Sequence, residues 1–332
     1  MASRYLHLYK LYFVAVLCSR GASASMHVGV GSQGSVTLSV DGDVWLISNK
    51  TYIDSYPLIF SNSSKATGTD TLGAFTANTF IWKSNANVVM EAEVRTYDDD
   101  FVVFEQRFPT ALSFENQLSK ARALITDFPS FEEQKSGLSF ATFNGGFAKE
   151  VAMGKGAGLA SCSVGTQGGV PIILFDADSS PTKTLVASQL TSFKGGDLYC
   201  SGHLSMGVKG TSTSIPAEYS VSFVVVEGDG IAKTMEKWGD ILLKKSGKLH
   251  RASPYHDDIV SYVGWWTDNG AYYHYPGGTI EGDKGGYQKA MHAVADYHRQ
   301  IGAPFKHWQL DSWFVNLKLS KNPFYCIDTT VF

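Results

Sequence analysis

The chain has 332 residues, of which 44% are hydrophobic, 18% charged and 13% aromatic, and its formal net charge is −3. This length is sufficient for two domains and a large buried core. The slightly acidic balance, with no Lys/Arg cluster among aromatic residues, excludes a typical nucleic-acid-binding protein, so we expect no nucleic-acid partner. The high aromatic content is typical of a β-rich core and is also compatible with sugar stacking.

The first 24 residues have the three parts of a secretory signal peptide. Arg4 and Lys10 supply positive charge, residues 11–18 form a short apolar run, and residues 22–24 (Ala-Ser-Ala) form a small-residue cleavage site. A buried N-terminal strand or helix is the alternative interpretation. We therefore expect a secreted, extracellular or lumenal protein. After removal of the signal, no stretch approaches the ~18 apolar residues needed to span a membrane.

Two tripeptides match the acceptor pattern for N-glycosylation. They begin at Asn49 (Asn-Lys-Thr) and Asn62 (Asn-Ser-Ser). Three-residue patterns arise often by chance, but a preceding secretory signal gives them weight. We therefore predict glycosylation at both asparagines.

Three of the four cysteines lie outside the predicted signal peptide: Cys162, Cys200 and Cys326. Cys162 and Cys200 both belong to the β-rich part of the chain and could form a disulfide in an oxidising compartment. Buried free thiols are an equally good interpretation. The spacing of the cysteines is not that of metal ligands.

The run Asp98 to Asp100 is the strongest candidate for a cation site. A calcium loop needs alternating oxygen ligands and usually a downstream glutamate, and neither is present here. A solvated turn is the better interpretation. We predict no metal site and no cofactor.

Residues 25–227 read as a large antiparallel β-sandwich. Short runs rich in Val, Ile, Phe and Thr alternate with turn residues, and Asp41-Gly42 favours a tight hairpin turn. Alternation of apolar and polar residues gives each strand one buried and one solvated face. The predicted strands are 36–40, 44–47, 88–96, 101–108, 170–175, 184–190 and 219–226.

Residues 228–250 form the predicted connector helix. Its apolar residues recur at intervals of four, three and four, which places them on one helical face. Asp229 is suited to cap the start of the helix, and Gly247 to end it. The predicted apolar face consists of Ile231, Met235, Trp238 and Leu242.

Residues 251–332 begin a different architecture. Residues 259–266 are nearly all apolar, as in a strand covered on both faces, and a glycine-rich loop follows. A helix then carries one apolar face and stops at residues 302–304 (Gly-Ala-Pro), and residues 305–310 form the next strand. This order predicts a βαβ unit with parallel strands. The helical face consists of Tyr287, Met291, Val294, His298 and Ile301.

Acidic and aromatic residues follow both predicted strands at their carboxyl ends, where a (β/α)8 barrel has its active site. Carboxylates there can accept charge-assisted hydrogen bonds from sugar hydroxyls, and tryptophan offers a flat face to a pyranose ring. Packing of the tryptophans, a turn role for Asp268 and a helix-capping role for Asp311 are the alternatives. We predict an oligosaccharide or polysaccharide ligand, bound by Trp266, Asp268, Asn269, Asp311 and Trp313.

Three segments carry a resemblance to a known family: 264–268 (Gly-Trp-Trp-Thr-Asp), 310–313 (Leu-Asp-Ser-Trp) and 238–240 (Trp-Gly-Asp). In these segments the chain resembles the α-galactosidase and raffinose synthase family of glycoside hydrolases. The resemblance implies a multidomain α+β fold. A large N-terminal antiparallel β-sandwich is followed by a connector helix and then by the first βαβ units of an incomplete TIM-type barrel.

The same resemblance implies a retaining α-glycosidase or transglycosidase, which uses two carboxylates ~5–5.5 Å apart. In the family the nucleophile lies on the fourth barrel strand and the acid/base on the sixth. A full barrel takes ~250 residues, and far fewer follow position 257. We therefore expect a C-terminally truncated chain without catalytic residues, in which Asp268 and Asp311 position the substrate. A non-catalytic carbohydrate-binding or structural β-sandwich module is the alternative.

Overall fold

The computed structural model describes residues 26–309, except 55, 85–86, 99, 115–122, 145–149, 167–169, 250–256, 267–285 and 304. The predicted signal peptide therefore lies outside the described residues. The chain divides into two compact units, Met1–Leu249 and His250–Phe332.

The first unit is built almost wholly of β-strands, and one helix follows them. The helix is α1 (Ile231–Lys245). The strands are β1 (Met26–Val30), β2 (Val36–Val40), β3 (Asp43–Ser48), β4 (Tyr52–Ile53), β5 (Tyr56–Pro57), β6 (Ile59–Asp70), β7 (Gly73–Ser84), β8 (Asn87–Tyr97), β9 (Phe101–Phe108), β10 (Leu112–Ser113), β11 (Thr126–Asp127), β12 (Ser130–Glu133), β13 (Ser139–Asn144), β14 (Glu150–Gly154), β15 (Ser163–Thr166), β16 (Ile172–Asp176), β17 (Lys183–Gln189), β18 (Gly196–Ser201), β19 (Leu204–Val208), β20 (Ser214–Ile215) and β21 (Tyr219–Asp229).

Two large antiparallel sheets face each other across the main core. One has seven strands in the order β1-β2-β3-β12-β19-β18-β15, and the other has nine in the order β14-β13-β16-β17-β21-β9-β8-β7-β6. The prediction of a mostly antiparallel β fold, consistent with a β-sandwich, is confirmed. The largest fully buried side chains of the main core include Trp45, Phe80, Phe104, Phe108, Phe128, Phe131 and Phe223.

The predicted hairpins are present. Asp41 and Gly42 have φ values of 51° and 86° and join β2 to β3, as a tight turn with two left-handed residues requires. Strands β8 and β9 pair directly from Tyr97 opposite Phe101 to Glu91 opposite Arg107. Turn chemistry and two-residue alternation therefore specify these elements locally.

A buried glutamine links the two large sheets. The Nε2 atom of Gln106, on β9, donates to the carbonyl oxygens of Phe128 at 2.6 Å and Met206 at 2.9 Å. Its Oε1 atom accepts from the hydroxyl of Thr126 at 2.6 Å. Gln106 is fully buried, so these bonds are made in a medium of low dielectric, where an unpaired amide would be costly.

The sulfur atoms of Cys162 and Cys200 form a disulfide inside the seven-stranded side of the core. Cys162 follows a short 3₁₀ helix (Leu159–Ser161), and Cys200 lies on β18. Their Cα atoms are 5.6 Å apart, and both side chains are buried. The bond closes a loop between residues separated by 38 positions in sequence.

Helix α1 covers the outer face of the nine-stranded sheet, over a second cluster that includes Leu72, Phe101, Val224 and Val226. Its most buried side chains are Thr234 and Ile241, with Trp238 and Leu242 partly buried. Trp238 and Leu242 of the predicted apolar face therefore pack on the sheet, whereas Ile231 is exposed. The indole N–H of Trp238 donates to the hydroxyl of Ser188 at 2.7 Å.

The predicted helix cap was also wrong. Gly230, with φ 90°, occupies the capping position and makes no side-chain bond. Asp229 instead ends β21, where its carboxylate accepts from Lys183 at 2.7 Å. Gly247, with φ 70°, follows the helix end as predicted.

The second unit contains helix α2 (Asp258–Ser261), strand β22 (Gly264–Trp266), helix α3 (Gly286–Gln300) and strand β23 (His307–Gln309). Strands β22 and β23 are parallel, with α3 between them in sequence, as predicted. This is one βαβ unit and does not establish a barrel. The strand predicted over 259–266 was wrong in its first half, because Asp257 accepts from the backbone N–H of Ile259 at 2.9 Å and starts a helix.

Candidate functional site

The two parallel strands define the frame of the predicted sugar site. Trp265 pairs with Trp308, and Trp266 pairs with Gln309, so both strands end at the same edge. Trp266 is the last residue of β22. Its side chain lies outside the described residues, as do the predicted ligands Asp268, Asn269, Asp311 and Trp313.

Aromatic rings hold this frame together. The ring of Trp265 lies 5.0 Å from that of Trp308 in an edge-to-face arrangement, and Phe305 lies 5.7 Å from Trp308. His298, near the end of α3, stacks 4.0 Å from Phe305. Trp265 thus packs against the neighbouring strand, the structural role that strand alternation assigns to one of the two adjacent tryptophans.

Gly264 is required by a close approach of its neighbour. A Cβ atom placed on Gly264 would lie 1.8 Å from Nε2 of His307, its partner on β23. The imidazole therefore fills the space over the glycine, which gives His307 a packing role. A side chain at position 264 would therefore displace the imidazole of His307.

The first unit contains a buried acid that sequence analysis did not single out. Glu227, near the end of β21, is fully buried, and neither carboxyl oxygen has a hydrogen-bond partner among the described residues. Burial, followed by the charge of Asp100, raises the pKa of Glu227 to about 7. Two-residue alternation from Val221, Phe223 and Val225 could have located it, because those side chains face the core.

Two lysines near Glu227 offset only part of the effect of burial on its pKa. The ammonium group of Lys237 donates to the backbone oxygen of Glu227 at 3.1 Å and lies 3.7 Å from Asp100. Lys183 lies 3.0 Å from Asp41 and 2.7 Å from Asp229. Both lysines lower the pKa of Glu227, but by less than burial raises it. Among the described residues, no group of three or more His, Cys, Asp and Glu side chains could hold a metal ion.

The outer face of the nine-stranded sheet carries a charged group around Arg95. Glu93 and Glu105 are direct neighbours across β8 and β9, an unfavourable arrangement for two carboxylates. Arg95 pairs with Glu93 and lies 3.1 Å from Glu105, and its guanidinium group lies 5.3 Å from the ring centroid of Phe75. The single positive charge of Arg95 offsets part of the repulsion between the two carboxylates.

The two glycosylation candidates lie on different kinds of surface. Asn49 is exposed in the connection between β3 and β4. Asn62 is exposed on β6, the outermost strand of the nine-stranded sheet. Both side chains are therefore accessible in the folded protein.

No family model and no curated protein matches the chain. Among solved structures, it is similar to the GalNAc complex of α-N-acetylgalactosaminidase NagBb from Bifidobacterium bifidum, with a TM-score of 0.44 and 8% identity over 84% of this chain and 49% of that chain. A quadruple mutant of the same enzyme gives a TM-score of 0.43 and 11% identity over 73% and 42%. A chain described as a kojibiose phosphorylase from the human microbiome gives 0.30 and 9% over 69% and 30%.

These structural neighbours are glycoside hydrolase-like. The chain spans less than half the length of each of them. With TM-scores below 0.5 and identities of 11% or less, the likeness does not assign the chain to the α-galactosidase and raffinose synthase family.

None of the helices in the described part of the chain has both the length and the apolar character needed to cross a membrane.

Proposed function

We propose that this chain is the sugar-binding N-terminal portion of a secreted glycoside hydrolase of the retaining α-glycosidase or transglycosidase type. Its own residues hold an oligosaccharide or polysaccharide at the carboxyl ends of β22 and β23. We assign the contacts to Trp266, Asp268, Asn269, Asp311 and Trp313.

The register of the parallel strands carries this proposal. Trp266 pairs with Gln309, and Asp268 and Asp311 each follow their strand's last residue by two positions. We therefore expect the two aspartates at equivalent positions beyond neighbouring strands. Such strands lie ~4.8 Å apart, a separation that lets both carboxylates reach hydroxyls of one pyranose ring.

The chemistry of these residues suits a sugar. An ionised carboxylate accepts hydrogen bonds from hydroxyl groups, and such charge-assisted bonds are stronger than neutral ones. Trp266 and Trp313 supply flat apolar faces for the C–H side of the ring, with an indole N–H as a polar handle. Asn269 adds both a donor and an acceptor.

We assign no catalytic step to these residues. By the resemblance, Asp268 and Asp311 position the substrate, and the nucleophile and acid/base belong to later barrel strands. The described part of the chain contains two strands of this kind, β22 and β23. We therefore expect these 332 residues to bind sugar without hydrolysing it.

Calorimetric titration of the chain with galactosides, glucosides and sulfated polysaccharides tests the proposal. We expect saturable binding of at least one sugar class, and no release of the aglycone from aryl α-glycosides. Absence of binding across the panel would contradict the proposed function. Turnover by the chain alone would contradict the assignment of catalysis to other strands.

A non-catalytic sandwich module is the second candidate, and the self-contained core of the first unit favours it. That unit buries its own aromatic core and closes its own disulfide. If sugar binding survives replacement of both Asp268 and Asp311, the sandwich is the binding module.

A further inference from the structure

Strand β6 is a long edge strand, with no partner on its outer side among the described residues. It is the last strand of the nine-stranded sheet, has 12 residues and pairs on one side with β7. The other outermost strands of the two large sheets, β14, β1 and β15, have 5, 5 and 4 residues. Long edges are the ones that proteins protect, because unpaired backbone groups recruit strands of other molecules.

The sequence of β6 provides two of the usual protections of an edge, one interior lysine and one bulge, for a strand of 12 residues. Within Ile59–Asp70 the charged side chains are Lys65 and, at the last position, Asp70, and proline is absent. Ile59, at the first position, is 60% exposed. Serine and threonine supply five of the other ten residues, so most of this long edge carries no charged side chain.

Asn62 lies at the irregular point of this edge. The register between β6 and β7 shifts between Phe60 and Asn62, so Ser61 forms a bulge. The Oδ1 atom of Asn62 accepts from the backbone N–H of Ser63 at 2.8 Å. The asparagine side chain thus already satisfies one backbone donor of the edge strand, and it does so through its oxygen and not its nitrogen.

We propose that Asn62 carries an N-linked glycan that covers β6 and prevents sheet extension between copies of this chain. A bond forms between Nδ2 of Asn62 and C1 of an oligosaccharide, while the bond from C1 to the pyrophosphate of a lipid-linked donor breaks. Nδ2 loses one proton, and the lipid pyrophosphate leaves. Oδ1 remains an acceptor, so its bond to Ser63 is retained.

This inference rests on the proposed secretion, because the glycosyl donor is met in the secretory pathway. It further states that glycans on the two acceptor asparagines have different effects on association. A glycan on Asn62 stands on a strand edge, whereas one on Asn49 stands on a connection outside the strands. Asn49 is therefore a matched control.

The experiment expresses the full chain in secreting eukaryotic cells and compares wild type with N49Q, S64A and S64K. Glycopeptide mass spectrometry reports occupancy of Asn49 and Asn62, and light scattering after gel filtration reports mass. Both Ser64 substitutions remove the acceptor pattern and leave Asn62 itself in place. S64K adds an edge charge that replaces the protective effect of the glycan.

We expect Asn62 to be occupied and the wild type and N49Q to have the same mass. S64A should associate, with at least a twofold rise in mass, and S64K should not. Occupancy of Asn49 alone would overturn this inference while leaving secretion intact. Occupancy of neither asparagine on protein recovered from the medium would overturn this inference alone, whereas absence of the protein from the medium would overturn the proposed secretion. An S64A variant of wild-type mass would show that the glycan does not guard the edge.

Discussion

Glu227 is an acidic residue in an environment very different from water. It is fully buried beside apolar neighbours, and its pKa is raised from an ordinary value of 4.5 to about 7 by burial and then by Asp100. Between these two pH values the folded protein holds the proton and the unfolded chain releases it. The contribution of Glu227 to stability is therefore fully present below about pH 4.5 and is lost as the pH rises through about 7.

We predict that E227Q removes this pH dependence. The gap between 4.5 and about 7 corresponds to about 3 kcal/mol, so the variant should exceed wild type in free energy of unfolding by up to that amount above pH 8. At pH 4.5 the two should be nearly equal. Urea unfolding between pH 4.5 and 8.5 measures both.

The control is E236Q, which changes an exposed glutamate on α1. It should follow the wild-type profile at every pH. Parallel profiles for wild type and E227Q would show that the Glu227 carboxyl is solvated or paired in the folded state, contrary to this account.

Gln106 is a buried polar residue whose hydrogen bonds are made inside the core. Its amide makes three hydrogen bonds inside the core, to Phe128, Met206 and Thr126. We predict that Q106L lowers the free energy of unfolding by about 3 kcal/mol, because each lost bond costs about 1 kcal/mol and buried partners are left unpaired. The exposed Q134L should change it by less than about 0.5 kcal/mol. Equal denaturation midpoints for the two variants would contradict the proposed link between the sheets.

At the scale of elements, the disulfide between Cys162 and Cys200 has a stabilising effect that can be calculated from its loop length. Cys162 and Cys200 are separated by 38 positions. In the chain-entropy model, closing such a loop raises the free energy of the unfolded chain by about 4 kcal/mol. We predict that replacing both cysteines by alanine lowers stability by about 2–4 kcal/mol. Thermal and urea unfolding, with and without reductant, measure this. If reductant leaves the stability of the wild-type protein unchanged, the disulfide is contradicted.

Local patterns predicted elements well where a single rule determined them. The β2–β3 hairpin follows from Asp41-Gly42, and α3 follows from its helical spacing and from the glycine and proline after it. The β22 region failed because an apolar run suits either a strand or a short helix, and the cap supplied by Asp257 decided in favour of the helix. Helix ends and strand starts depend on such single contacts.

Relations across sheets were not predictable from the sequence. Trp238 on α1 bonds to Ser188, 50 positions away in the sequence. The pKa of Glu227 depends on charges from β17 and α1, those of Lys183 and Lys237, as well as on burial. For the sugar site, sequence patterns gave the residue types and the order of the strands. The pairing of β22 with β23 supplied the register on which the proposed equivalence of Asp268 and Asp311 rests.

At the scale of the whole molecule, the two units differ in how they are built. The first buries a large core between antiparallel sheets, and the second forms a parallel strand pair with aromatic packing around Trp308. The proposed sugar contacts belong to the second unit, and the proposed glycan guards an edge of the first. The proposed sugar binding thus depends on the strand ends of the second unit.

The most direct measurement is a calorimetric titration of the best-binding sugar into wild type, D268N, D311N and D296N. Asp296 is an exposed aspartate on α3, paired with Arg299, and serves as the matched control. We predict that D268N and D311N each weaken binding by about tenfold or more, because each removes a charge-assisted bond worth about 1.5–3 kcal/mol. D296N should bind as wild type does. Equal affinities for all four proteins would contradict a sugar site at the strand ends.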